Sequence, residues 1–182
     1  MRSTEFAPER STHAVCLELA RILDFIGQPT TAGEVIQQNI LRFPEEWKLV
    51  LERINQLLRE NRTLEAYHLN AKYLERDVHA GRLWSSFIQF THQYDWRSVT
   101  SRLYGPSLAL QIFYLALKYV SRSGEVWCEG ARVFLNPISR HFNPHNAQRC
   151  LMFAIYFTPQ YGDSFIEVAL LRSVNRRPSD CR

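Results

Sequence analysis

Three windows of equal length align without a gap in this chain, and that self-similarity restricts the fold more than any single motif does. They are EAYHLNAKYLERDVHAGRLWSSFIQ (Glu65 to Gln89), LALQIFYLALKYVSRSGEVWCEGAR (Leu108 to Arg132) and NAQRCLMFAIYFTPQYGDSFIEVAL (Asn146 to Leu170). Each has alanine second (Ala66, Ala109, Ala147) and then Tyr73, Ala116 or Ala154 seven residues later. Glycine follows eight residues further (Gly81, Gly124, Gly162), and an aromatic three beyond it (Trp84, Trp127, Phe165). A shorter copy lies upstream, where Ala32 precedes Pro44 by the separation of Ala147 from Pro159, and its turn loses about three residues before Trp47. Unequal spacing of the four starts, at Ala32, Ala66, Ala109 and Ala147, places the length variation in loops.

The local signals are helical. Thr31 with Glu34 reads as a capping box, Pro44 opens a helix at the first-turn position, and Asn143-Pro144 gives a cap followed by a first-turn proline. Trp47, Val50, Leu51, Ile54, Leu57 and Leu58 fall on one helical face. Glycines and prolines divide the chain into about nine expected helices, near 12–26, 31–42, 44–60, 63–78, 82–93, 106–120, 124–135, 144–157 and 163–174. Small residues seven apart lie two turns apart on one side of a helix, where a neighbour approaches closely. The glycine is expected to supply a positive-φ stop, and the aromatic fills the groove between helices. Copies of such a pair bury a core between neighbours only, so the expected fold is all-α, an α-solenoid of about four antiparallel helix pairs. The repeat core is then Trp47, Ala66, Trp84, Ala109, Ala116, Trp127, Ala147, Ala154 and Phe165.

With 182 residues, the chain suits one domain, expected over 12–174 between a polar tail at 1–11 and a basic tail at 175–182. The start, MRSTEFAPERST, has charges and no apolar run, and the stretch Leu108 to Val120 is interrupted by Gln111 and Lys118. A soluble, intracellular protein is expected, nuclear or cytoplasmic, with no membrane contact. Cys16, Cys128, Cys150 and Cys181 are scattered and read as free thiols. Residues 1–91 hold 11 basic and 12 acidic side chains, residues 92–182 hold 11 and six, so the second half carries the positive excess.

No group in the sequence makes a case for chemistry. His141 and His145 bracket a loop containing Asn143-Pro144, which denies them helical i, i+4 geometry toward Cys150, and no metal is expected. Asp163 and Glu167 are one turn apart, but an aspartate at a helix start is ordinarily a cap. Nucleophile-elbow, P-loop and dinucleotide fingerprints are missing. The expectation is a non-enzyme without cofactor or small-molecule substrate. Partner contacts are expected at Trp96, with Tyr94 and Tyr104, on a connecting loop, and at Leu170 and Leu171, where the last helix has little polar cover. The first helix is expected to be a cap, with Glu18, Arg21 and Asp24 outward and Val15, Leu19, Ile22 and Ile26 inward. Arg172, Arg176 and Arg177 are candidates for an RNA backbone.

Residues Thr31 to Arg172 resemble the tetratricopeptide class of repeats, and more closely its half-a-tetratricopeptide (HAT) branch. The A helix of that branch reads W-x-x-x-A-R, matched by Trp127 through Ala131-Arg132. Its B helix reads A-x-R-x-x-x-x-A-[LI] ending in proline, matched by Ala147, Arg149, Ala154-Ile155 and Pro159. Val78 and Ser121 stand where Pro159 would be, and Asn136 to Asn143 reads as an insertion with a contact role of its own. The resemblance implies a right-handed superhelix and a protein–protein interaction scaffold within a larger assembly. The alternative it implies is a subunit of an RNA-processing complex that touches RNA through the basic half.

Overall fold

The structure, a computed structural model, describes residues 9–97 and 107–175, with side chains placed for 12–93 and 107–172. The described residues form nine helices and no strand. These are α1 (Glu9–Phe25), α2 (Pro29–Arg42), α3 (Trp47–Arg59), α4 (Thr63–Arg76), α5 (Gly81–Arg97), α6 (Leu108–Val120), α7 (Gly124–Leu135), α8 (Pro144–Phe157) and α9 (Gly162–Asn175). They divide into two compact units, residues 1–77 and 78–182. Within each, every helix packs on the next one in sequence: the tetratricopeptide-like arrangement read from the three windows.

In the first unit, α2 and α3 meet through Ala32, Ile36, Ile40, Leu49, Val50, Ile54 and Leu57, all buried. One polar side chain is buried with them. The Gln56 amide donates to the Pro29 carbonyl at 2.5 Å and accepts from the Arg53 guanidinium at 2.6 Å, so the start of α2 is tied to the middle of α3. A Cβ on Gly33 would press against that guanidinium. Salt bridges from Arg21 to Glu52 (3.1 Å) and from Arg59 to Asp24 (2.6 Å) link α1 to α3; exposed on their cationic side, they contribute only a few tenths of a kcal/mol each.

Three local expectations are corrected here. Thr31 and Glu34 lie inside α2, which begins at Pro29 after Gln28, so they form no capping box. A proline with its preset φ starts the helix two residues early. Pro44 does not open α3: residues 44–45 are a turn and the helix begins at Trp47. On α1 the inward stripe is Thr12, Cys16, Leu17 and Ala20, whereas Ile22 and Ile26 are exposed. The two stripes are both plausible from hydropathy, and close packing on α2 selects the one that carries the small Ala20.

In the second unit, α5 packs with α6 and α7 with α8, α5 packs on α7, and α9 rests on α7 and α8. Ala109, Ala116, Ala147 and Ala154 are fully buried, as is Ala66 in the first unit. Phe113 sits beneath α7, and its ring occupies the space that a Cβ on Gly130 would take. Ser107 caps α6 by accepting from the Leu110 amide (3.2 Å), and Asn143 caps α8 by accepting from the Asn146 amide (3.0 Å); each such cap stabilises by about 1 kcal/mol.

The repeat glycines do a different job from the one expected. Gly27 alone among the described glycines has a positive φ, at 81°. Gly81, Gly124 and Gly162 are the first residues of α5, α7 and α9, and their role is close approach. A Cβ on Gly124 would stand 2.6 Å from both the Ala154 carbonyl oxygen and the Thr158 side chain, and one on Gly81 would stand 2.7 Å from the Ser123 hydroxyl. The turn of each repeat is seated against the glycine of the one before it. At Gly162 nothing stands within 4 Å.

Candidate partner-binding faces

The recurring aromatic has a bond of its own that fixes the repeat turn. The Trp84 indole N–H donates to the Val78 carbonyl at 2.8 Å, and the Trp127 indole N–H donates to the Ser121 carbonyl at 2.7 Å, six residues upstream in both cases. Val78 and Ser121 hold the positions equivalent to Pro159, so an indole satisfies a carbonyl left over at the helix end. Trp84 stacks on Tyr119 of α6, with centroids 6.0 Å apart and planes 8° from parallel. Trp127 lies 4.7 Å from Phe153 of α8 and edge-on to Phe113 at 5.6 Å. Trp84 is 4% exposed, while Trp47 and Trp127 are half-buried.

Phe165, the third aromatic in that column, is 48% exposed, so its expected place in the core is corrected. It has no N–H to give to a carbonyl, and among the described residues α9 has only α7 and α8 beneath it. Ile166 and Leu170 share the exposed face, Leu170 at 55%. Leu171 does not: at 7% exposed it packs inward, and its expected exposure is corrected too. Adjacent residues on a helix point 100° apart, and here that turn carries Leu171 past the edge of the exposed face and onto the core.

Tyr94 and Trp96 lie in the last turns of α5, not on a connecting loop as expected, because the helix runs on to Arg97; their side chains are outside the described set. Tyr104, Arg176, Arg177 and Cys181 are outside the described residues, and Arg172 is exposed near the end of α9.

A charged cluster that sequence reasoning missed joins α5, α7 and α9. Arg132 donates to Glu129 at 2.5 Å, to Glu167 at 2.7 Å and to Asp163 at 3.2 Å, and Arg82 pairs with Glu125 at 2.8 Å. Asp163 and Glu167 therefore share a guanidinium, and Asp163 also accepts from the Tyr161 hydroxyl at 3.3 Å. A usable signal was present. Glu125 and Asp163 occupy the same place in consecutive windows, as do Glu129 and Glu167, and Arg82 precedes Glu125 in that column. Side chains in one column of a stacked repeat come face to face.

Burial sets the electrostatics. It pushes the Glu129 carboxyl up to about 7 against the pull of Arg132, and it raises the Glu125 carboxyl as well. It would also lower the Arg132 guanidinium, but the hydrogen bond that Arg132 donates to Glu167 and the charge of Glu129 reverse that. Burial holds the Cys128 thiol at about 11 and the Cys150 thiol at about 12, so neither is a nucleophile at neutral pH. Beside the cluster runs a groove of about 520 Å3, lined by His92, Gln93, Arg132, Leu135, Asn136, Pro137 and Glu167. Asn136 reaches His92 across it at 3.2 Å, so the inserted segment begins by bracing α5. Among the described residues no three His, Cys, Asp or Glu side chains are grouped to hold a metal ion, and no helix is long and apolar enough to cross a membrane.

A family model described as "PRP6, TPR-like domain" matches residues 1–180. The chain belongs to the PRP6 TPR-like domain family. A TPR-containing protein of Dictyostelium discoideum is 39% identical over 134 residues, 74% of this chain. The chain spans 9% of the length of that relative. The tetratricopeptide-like reading of the windows is thereby borne out, and this PRP6 TPR-like domain is of a class whose repeats are generally non-catalytic.

Proposed function

We propose that this chain is a non-enzymatic scaffold that holds protein partners of an RNA-processing assembly, the setting to which the PRP6 family is linked through splicing. A nuclear location follows from that proposal. The observation that carries the scaffold reading is the outer face of α9, where Phe165, Ile166 and Leu170 stand exposed and no described helix packs over them. Apolar side chains aligned on one helix face are the ordinary anchor of a helix–helix contact. The end of α5, with Tyr94 and Trp96, is the second proposed contact.

Replacing Phe165 and Leu170 with aspartate tests this. Both are exposed, so the helical content and melting temperature hold, and proteins that co-purify with the wild-type chain are lost from the variant in quantitative mass spectrometry. Full retention of every partner overturns the assignment. Direct RNA contact through Arg172, Arg176 and Arg177 is a second reading, favoured by the excess of basic over acidic side chains in the second half. Titration of a labelled oligonucleotide against salt separates the two, since phosphate contacts weaken steeply with ionic strength and an apolar interface does not.

A further inference from the structure

A different surface of the second unit has the chemistry to select its partner. Arg149, Met152, Phe153 and Tyr156 follow one another along α8 at i, i+3, i+4 and i+7, a single helical stripe, and line a groove of about 360 Å3. Helical stripes of this kind ordinarily face a core, yet Met152 is 65% exposed and Tyr156 is 79% exposed. On α6, Tyr114, Leu115 and Tyr119 are exposed beside Lys118. Trp127 of α7 supports the α8 stripe, its ring 4.7 Å from that of Phe153 and tilted 34° to it. Methionine and tyrosine adapt to and anchor a partner better than most side chains.

The charge on this face is one-sided. Neither α6 (LALQIFYLALKYV) nor α8 (PHNAQRCLMFAIYF) contains an aspartate or glutamate. Lys118 and Arg149 have no salt-bridge partner among the described residues, whereas Arg82 and Arg132 are bound to carboxylates on the helices α7 and α9. Among the residues of this unit with placed side chains, the acids lie on α7 and α9, and none of them forms a salt bridge with Lys118 or Arg149.

We propose that the outward face of α6 and α8 is a docking surface for an acidic amphipathic helix of a partner protein. Its apolar side chains would lie between Met152, Phe153 and Tyr156, and its flanking carboxylates would reach Arg149 and Lys118. A helix fits better than an extended strand, because the described protein offers no sheet edge to add to and the stripe has helical spacing. A helix also fits better than RNA. Two cations across two helices neutralise few phosphates, whereas the apolar side chains are numerous.

The probe is a labelled synthetic peptide of about four turns, with leucines at i, i+3, i+4 and i+7 and glutamates on the flanks, titrated against the whole chain by fluorescence anisotropy. A second peptide has lysine for every glutamate, and a labelled oligouridylate serves as the nucleic-acid arm. The glutamate peptide is expected to bind, with the lysine peptide about tenfold weaker or more. Tyr156→Ser, at an exposed position that leaves the fold intact, is expected to weaken the glutamate peptide about tenfold. Arg149→Glu reduces or reverses the preference between the two peptides. The Phe165 and Leu170 aspartate variants bind like the wild type, so failure at this surface and failure at α9 are read separately. No binding of the glutamate peptide, equal binding of the two peptides, an unchanged Tyr156→Ser variant, or a preference for oligouridylate each overturns the proposal.

Discussion

Glu129 and Arg132 stand one turn apart on α7 and share a hydrogen bond of 2.5 Å, with the glutamate only 5% exposed. Desolvation raises that carboxyl from 4.5 to about 7, so the folded chain holds a proton that the unfolded chain has already released. Stability from this group is therefore greatest below pH 4.5, falls as pH rises toward 7, and is level beyond. Urea midpoints measured across that range are expected to show this decline superimposed on the rest of the titration, and Glu129→Gln is expected to remove it. An unaltered slope in the variant would show that Glu129 ionises normally.

The glycine seats separate two substitutions that look alike in sequence. Gly124→Ala forces a Cβ against the backbone of Ala154 and the side chain of Thr158, and it costs about 2 kcal/mol from overpacking. Gly162→Ala meets open space at the start of a helix and stabilises by about 0.5 kcal/mol. Thermal melts of the two variants are expected to move in opposite directions.

Trp84→Phe and Trp127→Phe keep most of the ring but lose the indole N–H, which leaves the Val78 or Ser121 carbonyl without that bond. Each is expected to cost about 1 kcal/mol in chemical denaturation. Trp84 is the more buried, so truncation to alanine there costs about 3 kcal/mol or more.

Leu170 and Leu171 differ in the same measurable way. Leu171→Ala opens a cavity and lowers stability by about 2 kcal/mol or more, while Leu170→Ala changes it little.

Buried thiols supply a solvent-access test. Cys16, Cys128 and Cys150 are free and buried, with thiols pushed up by desolvation. In peptide mapping after a short pulse of iodoacetamide at pH 8, these three are expected to be labelled only once denaturant is added.

What the sequence made legible follows from what repeats. The alanines at 66, 109, 116, 147 and 154 report close helix packing, and any helix pair that touches there needs them, so their register alone announces the fold. The glycines were misread because the same residue serves two purposes: a positive φ and a missing Cβ both demand glycine, and only coordinates tell them apart. The α1 stripe was ambiguous because Val15, Leu19, Ile22 and Ile26 are as apolar as the stripe that packs. Phe165 kept its column but lost its cover, which depends on what lies over α9 and not on its own window. The Arg132 cluster was hidden because Asp163 and Glu167 lie 31 and 35 residues from Arg132, separations that have meaning only once the windows are stacked.

Thr158 is wedged into the gap at Gly124, and the Gly124 amide donates to its hydroxyl at 3.0 Å, while Gly162 meets nothing. Among the described residues the α7–α8 junction thus has a backbone latch that the start of α9 lacks, and α9 is held instead by side chains. Unravelling that begins at α9 has to release the Thr158 latch before α7 and α8 separate, so amide exchange is graded, fastest at α9 and slowest at α7. Strain applied at α9 is therefore expected to be released at its side-chain contacts before it reaches the Thr158 latch.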